Sequence, residues 1–271
     1  MDMHLERHPT RARRRTPAPP VVLVHGLGGD RHVWDPVLRG LTEEYDVVVV
    51  ELPGFGDSPA LSDEPTPGAL AAAVGARLHG AGLHRFHLVG HGLGGWVALE
   101  LAERDEGAAS VTGLAPAGFW PHPSGERHRR AIASIRRWGA VAPLVLALPP
   151  VRDGVLVAGH GGPGGLTFSA AMAVVRGYLH ADDYRRVSDA MLSRVYDVTR
   201  RMTPLALRIP VFLVWAGQDR LVTPPAVSPP DGVFQHVMQQ SGHLTTLDEP
   251  DRTVDVLLAA VDKGQMLAAA A

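Results

Sequence analysis

Residues 86–104 read FHLVGHGLGGWVALELAER: a short apolar run, a glycine-rich turn, then an amphipathic stretch. The run at 86–89 is bounded by charge on one side and glycine on the other, which suits a strand buried on both faces. The pattern at 94–104 suits a helix opening directly from the turn. A strand, a tight turn and a helix in that order set free helix N–H groups at the carboxyl end of a strand. Open α/β sheets bind their ligands there.

Working outward, β-branched runs recur at 21–24, 47–51, 111–114 and 210–215, with helix-compatible segments at 34–44, 67–80 and 253–260. This alternation predicts an α/β fold built on a mostly parallel, doubly wound sheet. From 119 to 208 no strand is evident. An Arg-rich piece, GERHRRAIASIRRW, and a second amphipathic piece at 182–201 flank the glycine-rich run GHGGPGG at 159–165. An insertion of that size between two strands predicts a helical cap, with the glycine run as a hinge for lid motion. The expected division is a core of 21–118 and 209–263, a cap of 119–208, and a flexible basic, Pro-rich tail of 1–20. The Ala-rich end, 267–271, is expected to fray.

The 271 residues are 45% apolar and 20% charged, enough to bury a large core. With 26 Lys and Arg against 28 Asp and Glu, the formal charge is −2, which gives no pull toward nucleic acid or anionic lipid. There is no cysteine, so disulfides, thiolate nucleophiles and cysteine metal sites are excluded. No apolar run reaches membrane-spanning length, and the start of the chain lacks the apolar core of an export signal. The histidines show no metal-binding spacing and no P-loop is present. The expectation is a cytoplasmic protein acting on a small molecule, without nucleic-acid or membrane partners, cofactor or metal.

Two further segments follow predicted strands and converge on the same sheet edge. His25-Gly26-Leu27-Gly28-Gly29 can turn backbone N–H groups toward one point, as an oxyanion requires. Asp219, in WAGQDRLV, and His243, in SGHLTTLDEP, come in the order acid then histidine.

Taken together, HGLGG with Trp34 eight residues after Gly26, ELPGFGDS at 51–58, GHGLGG, WAGQDRLV and SGHLTTLDEP resemble the α/β-hydrolase-fold superfamily. The resemblance is to its lid-bearing group of small esterases, carbon–carbon bond hydrolases and epoxide hydrolases, and it covers 21–262. It implies that Asp219 orients His243 as a general base, and that the Leu27 and Leu93 N–H groups form the oxyanion hole. The family's elbow carries a nucleophile at its centre, usually Ser. Here that position is Gly92, which has no side chain to attack a carbonyl. Ser58 and Ser241 lie on no elbow. His25 and His91 read first as structural, Trp34 and Trp96 as core or pocket wall. Asp30, His160, His180 and Asp182 read first as solvated surface, with substrate contact the lesser alternative. His25, Asp30, His91 and Trp96 remain candidate pocket residues.

Three readings stay open. One is an enzyme using His243 and Asp219 without a serine, for hydrolysis, elimination or cyclisation of a small, fairly apolar carbonyl or ester-like molecule. Another is an esterase-like serine hydrolase inactivated by Ser→Gly at position 92. The last is a non-catalytic ligand-binding or scaffold protein.

Overall fold

The structure is a computed structural model that describes residues 2–12, 18–119, 141–196, 198–222, 224 and 230–270. Its centre is a seven-stranded sheet in the order β1-β3-β2-β4-β5-β6-β7. The strands are β1 (Leu5–His8), β2 (Val21–Val24), β3 (Val47–Val50), β4 (Phe86–His91), β5 (Ala108–Leu114), β6 (Val211–Ala216) and β7 (Val233–Met238). All neighbours pair in parallel except β1, which runs antiparallel to β3. This is the expected α/β-hydrolase architecture, with five of its strands where the apolar runs lie.

The valine-rich strands explain themselves by alternation. Val21, Leu23, Val47 and Val49 pack into one cluster; Val22, Val24, Val48 and Val50 pack into the other. Both sheet faces are covered, so neither side of β2 or β3 tolerates a polar side chain. Helices α1 (Asp35–Thr42), α2 (Pro67–Gly80) and α3 (Leu93–Arg104) follow β2, β3 and β4 in turn. In the described part of the insertion lie α4 (Ala142–Leu146), α5 (Pro149–His160), α6 (Phe168–Leu179), α7 (Tyr184–Leu192) and α8 (Thr203–Arg208). A π-helical turn at Val198–Met202 precedes α8. The Arg-rich piece at 125–138 lies outside the described residues. Two helices, α9 (Thr245–Asp248) and α10 (Pro250–Ala270), close the chain.

Two expectations are corrected. The tail is not uniformly flexible: Leu5–His8 form an edge strand on β3, with Met3 1% exposed and Leu5 packed on the core. Its reason is the otherwise open edge of four valines, whose backbone groups need partners. Three of the tail's arginines, at 13–15, fall outside the described residues. The Ala-rich terminus does not unwind before Ala270, in keeping with alanine's helix propensity. The strand expected before His243 is β7 (VFQHVM), whose exposed residues interrupt the apolar pattern and leave its bounds unmarked in the sequence. Among the described residues no helix is long and apolar enough to cross a membrane.

Candidate active site

The elbow forms as its sequence requires. β4 ends at His91, Gly92 takes φ 53° and ψ −117°, and α3 starts at Leu93. The helix then passes so close to β2 that a methyl carbon on Gly94 would stand 2.2 Å from the Val24 carbonyl oxygen. Only glycine permits this approach, and the approach brings the N-terminus of α3 beside the loop that follows β2. The Gly92 carbonyl accepts from Gly95 at 3.1 Å and from Ala117 at 2.8 Å, which fixes the turn. Leu93 is the first residue of α3, so its N–H has no intrahelical acceptor.

Asp219 and His243 meet as expected. His243 Nδ1 lies 2.8 Å from Asp219 Oδ2, and the two side chains are 12% and 1% exposed. The other carboxylate oxygen of Asp219 accepts the N–H groups of Leu221 at 2.7 Å and Val222 at 2.9 Å. Burial alone would raise the Asp219 pKa, but His243 and these two N–H groups outweigh it and hold the carboxyl below its ordinary value. An ionised carboxylate only accepts, so the shared proton sits on Nδ1 and the Nε2 lone pair is left exposed in neutral His243. That lone pair faces the elbow: a methyl carbon on Gly92 would stand 3.3 Å from Nε2. The carboxylate, the imidazole and the elbow turn are therefore brought together, and residue 92 places no side chain between them.

The remaining candidates divide. His91 belongs to the site: its Nε2 donates to the His243 carbonyl at 2.7 Å, and the two rings lie 4.6 Å apart. Burial, reinforced by His243, pushes the His91 pKa down to about 3, so it stays neutral. His25 is fully buried; its Nε2 accepts the Leu52 N–H at 3.0 Å, and Nδ1 therefore donates to the Gly26 carbonyl at 2.9 Å. It braces the Leu27 loop from below. Asp30 is buried too, contrary to its surface reading; it caps His32 and reaches Arg176 of α6 at 3.3 Å. Trp96 packs against Gly118 and donates to Glu100, so it lies in the contact between α3 and the chain after β5. Ser58 is engaged with the Glu51 carbonyl and the His4 N–H.

The sequence reading missed two groups. His160, read as surface, is only 8% exposed, and its carbonyl accepts the His243 N–H at 2.8 Å. Tyr178 was not singled out, yet its ring lies on Gly28 and its hydroxyl is 3.0 Å from His160 Nε2. Neither carries a local signal, since both act across long sequence separations. His180 and Asp182 are exposed. Outside the dyad, His4, Glu51 and Asp57 bring ligand-type atoms within 4.8 Å of one another. The Arg31 guanidinium bridges Glu51 at 3.0 Å and Asp57 at 2.8 Å, so these carboxylates belong to an ion-pair network.

A parallel sheet with a strand–elbow–helix turn and a His–Asp pair at its carboxyl edge defines a hydrolase-type scaffold. A model of the Alpha/beta hydrolase family matches residues 21–256, and the chain belongs to that family. The dihydrolipoyllysine-residue acetyltransferase component of the acetoin cleaving system of Cupriavidus necator is 28% identical over 246 residues, 88% of this chain. This chain spans 62% of that relative's length. A thermophilic esterase from Thermogutta terrifontis superposes with a TM-score of 0.69 at 21% identity, covering 97% of this chain and 94% of the other. The enol-lactonase from Burkholderia xenovorans LB400 gives 0.65 at 18% identity, with 96% of each chain covered. These two likenesses are likenesses of fold.

Proposed function

We propose that this protein hydrolyses a small, largely apolar carbonyl or ester-like molecule, with His243 activating water directly and no covalent intermediate on residue 92. One observation carries the reading: Nε2 of an Asp219-bound histidine is aimed at the place where a side chain on Gly92 would stand. A water molecule there is within reach of the base and beside the first N–H of α3.

In the step, the water gives a proton to Nε2 as its oxygen bonds to the carbonyl carbon. The carbonyl π pair moves onto oxygen, and that oxyanion accepts hydrogen bonds from the Leu27 and Leu93 N–H groups. As the intermediate collapses, the bond to the leaving oxygen breaks and Nε2 returns its proton to the alkoxide. Acid and alcohol leave, and neutral His243 is restored. General-base assistance contributes about 10²–10⁴ in rate. Each oxyanion donor contributes roughly 10²–10³. No cofactor or metal is needed, and the same base serves elimination or cyclisation where the substrate offers an acidic proton. A diffusible substrate suits a cytoplasmic protein.

The backbone of Gly92 also favours a second reading, a serine hydrolase lacking only its nucleophile. Glycine has no need of an elbow conformation with φ 53°, but a nucleophile presented to His243 does. A panel of activated short- and medium-chain esters separates the two. Slow turnover by the natural chain that vanishes in His243→Ala supports direct water activation. Hydrolysis seen only after Gly92→Ser, with none by the natural chain, supports the second reading instead.

A further inference from the structure

The glycine-rich turn between α5 and α6 lies between the loop carrying the acid and the loop carrying the base. Gly161 forms an isolated antiparallel bridge with Asp219. At Gly161, φ is 81°, and a methyl carbon would stand 1.8 Å from the Gln218 carbonyl oxygen. On the opposite flank, a methyl carbon on Gly242 would stand 2.3 Å from the Gly162 nitrogen. Main chain thus packs on main chain on both sides. The turn also bonds the base itself, through the 2.8 Å hydrogen bond from the His243 N–H to the His160 carbonyl. With His91 holding the His243 carbonyl, the histidine's backbone is gripped at both ends. The His160 imidazole is anchored in turn: Nε2 lies 3.0 Å from the hydroxyl of buried Tyr178. The Tyr178 ring rests on Gly28, where a methyl carbon would stand 2.0 Å from Cε1.

We propose that the turn His160-Gly161-Gly162, keyed by the Tyr178–His160 side-chain pair, positions the His243–Asp219 dyad, so that seating the helical insertion and aligning the base are one event. The inference rests on His243 being the base and goes beyond it, because it assigns His160 and Tyr178 as positioning residues. A cover that touched the rim through flexible side chains could shift while the dyad held. Contacts between glycine backbones leave no such slack. The insertion therefore cannot swing away as a rigid lid without freeing the His243 N–H and breaking the bridge to Asp219. Misplacing a reacting group by about 1 Å can cost about 10²-fold in rate. An unseated insertion is thus a catalytically silent state.

The test is proton NMR of the whole protein, following the His243 Nδ1–H resonance, assigned by its loss in His243→Ala. Tyr178→Phe removes one hydroxyl and keeps the ring on Gly28. The expected result is at least about tenfold faster solvent exchange of that proton in Tyr178→Phe and in His160→Ala. Val187→Ala trims a buried side chain of α7, in the same insertion but outside the 160–162 turn, and is expected to leave the exchange unchanged. In a Gly92→Ser background, Tyr178→Phe should lower kcat about tenfold with little change in KM. Unchanged exchange in both Tyr178→Phe and His160→Ala overturns the proposal. Equal acceleration by Val187→Ala overturns it too, since that marks general loosening. The NMR reading needs no turnover, so ester hydrolysis by the natural chain that is indifferent to His243→Ala would count against the functional reading and leave the positioning result standing.

Discussion

Residue 92 concentrates the chemistry of this chain. Its φ of 53° is free for glycine and strained for any L side chain. Gly92→Ala should therefore lower stability by about 1–3 kcal/mol in urea denaturation and supply no nucleophile. Gly92→Ser should bear the same strain and add an oxygen within reach of His243 Nε2, giving a fluorophosphonate-reactive protein. His91 makes a second prediction at this scale. Its folded pKa is about 3, against an ordinary 6.5, so the unfolded chain binds a proton that the folded one refuses between those values. The stability this group contributes is present above about pH 6.5 and is lost as pH falls toward 3, by up to about 5 kcal/mol. His91→Gln keeps a donor for the His243 carbonyl and removes the titration. Its urea midpoint should fall less steeply between pH 6.5 and 4 than that of the natural chain. The sequence was legible where a motif is local: the Gly92 turn and the meeting of Asp219 with His243 both stood out. His160 and Tyr178 did not, because a backbone carbonyl and a long-range hydroxyl leave no spacing to read.

Elements show which strands a sequence announces. β2 and β3 are buried on both faces and appear as unbroken valine-rich runs. β1 (LERH) and β7 (VFQHVM) lie at the sheet's edges, where charge and exposure are tolerated, and so resemble loops. The cost of overlooking β1 is measurable. Removing residues 1–9 takes away Met3 and Leu5 and bares the four valines of β3. A loss of about 3 kcal/mol is expected from the buried area alone. Light scattering should rise as the open edge finds other chains. Across the molecule from that edge, Arg201 joins the π-helical turn to α3, reaching Glu100 and Glu103 at 2.6 Å each and covering the Tyr196 ring. Arg201→Met would leave Glu100, among the described residues, with Arg104 as its cation. A destabilisation of about 3 kcal/mol follows, the lower end for breaking a buried pair, and thermal or urea unfolding would read it.

For the whole molecule, the sheet gathers three distant loops at one edge, and the helical insertion completes what they begin. The α/β order and the helices in the described part of the insertion were legible because alternation and periodicity survive in a single sequence. How the insertion seats was not legible, since it depends on glycine backbones meeting across the sheet edge at Gly161, Gly162 and Gly242. We propose that His243, oriented by Asp219, drives hydrolysis although residue 92 offers no nucleophile. Pre-steady-state hydrolysis of an activated ester by the natural chain, with His243→Ala alongside, is the decisive measurement. Linear product release with no burst is expected, slowed by at least about 10²-fold in His243→Ala. A burst equal to the enzyme concentration, or turnover indifferent to His243→Ala, would contradict it.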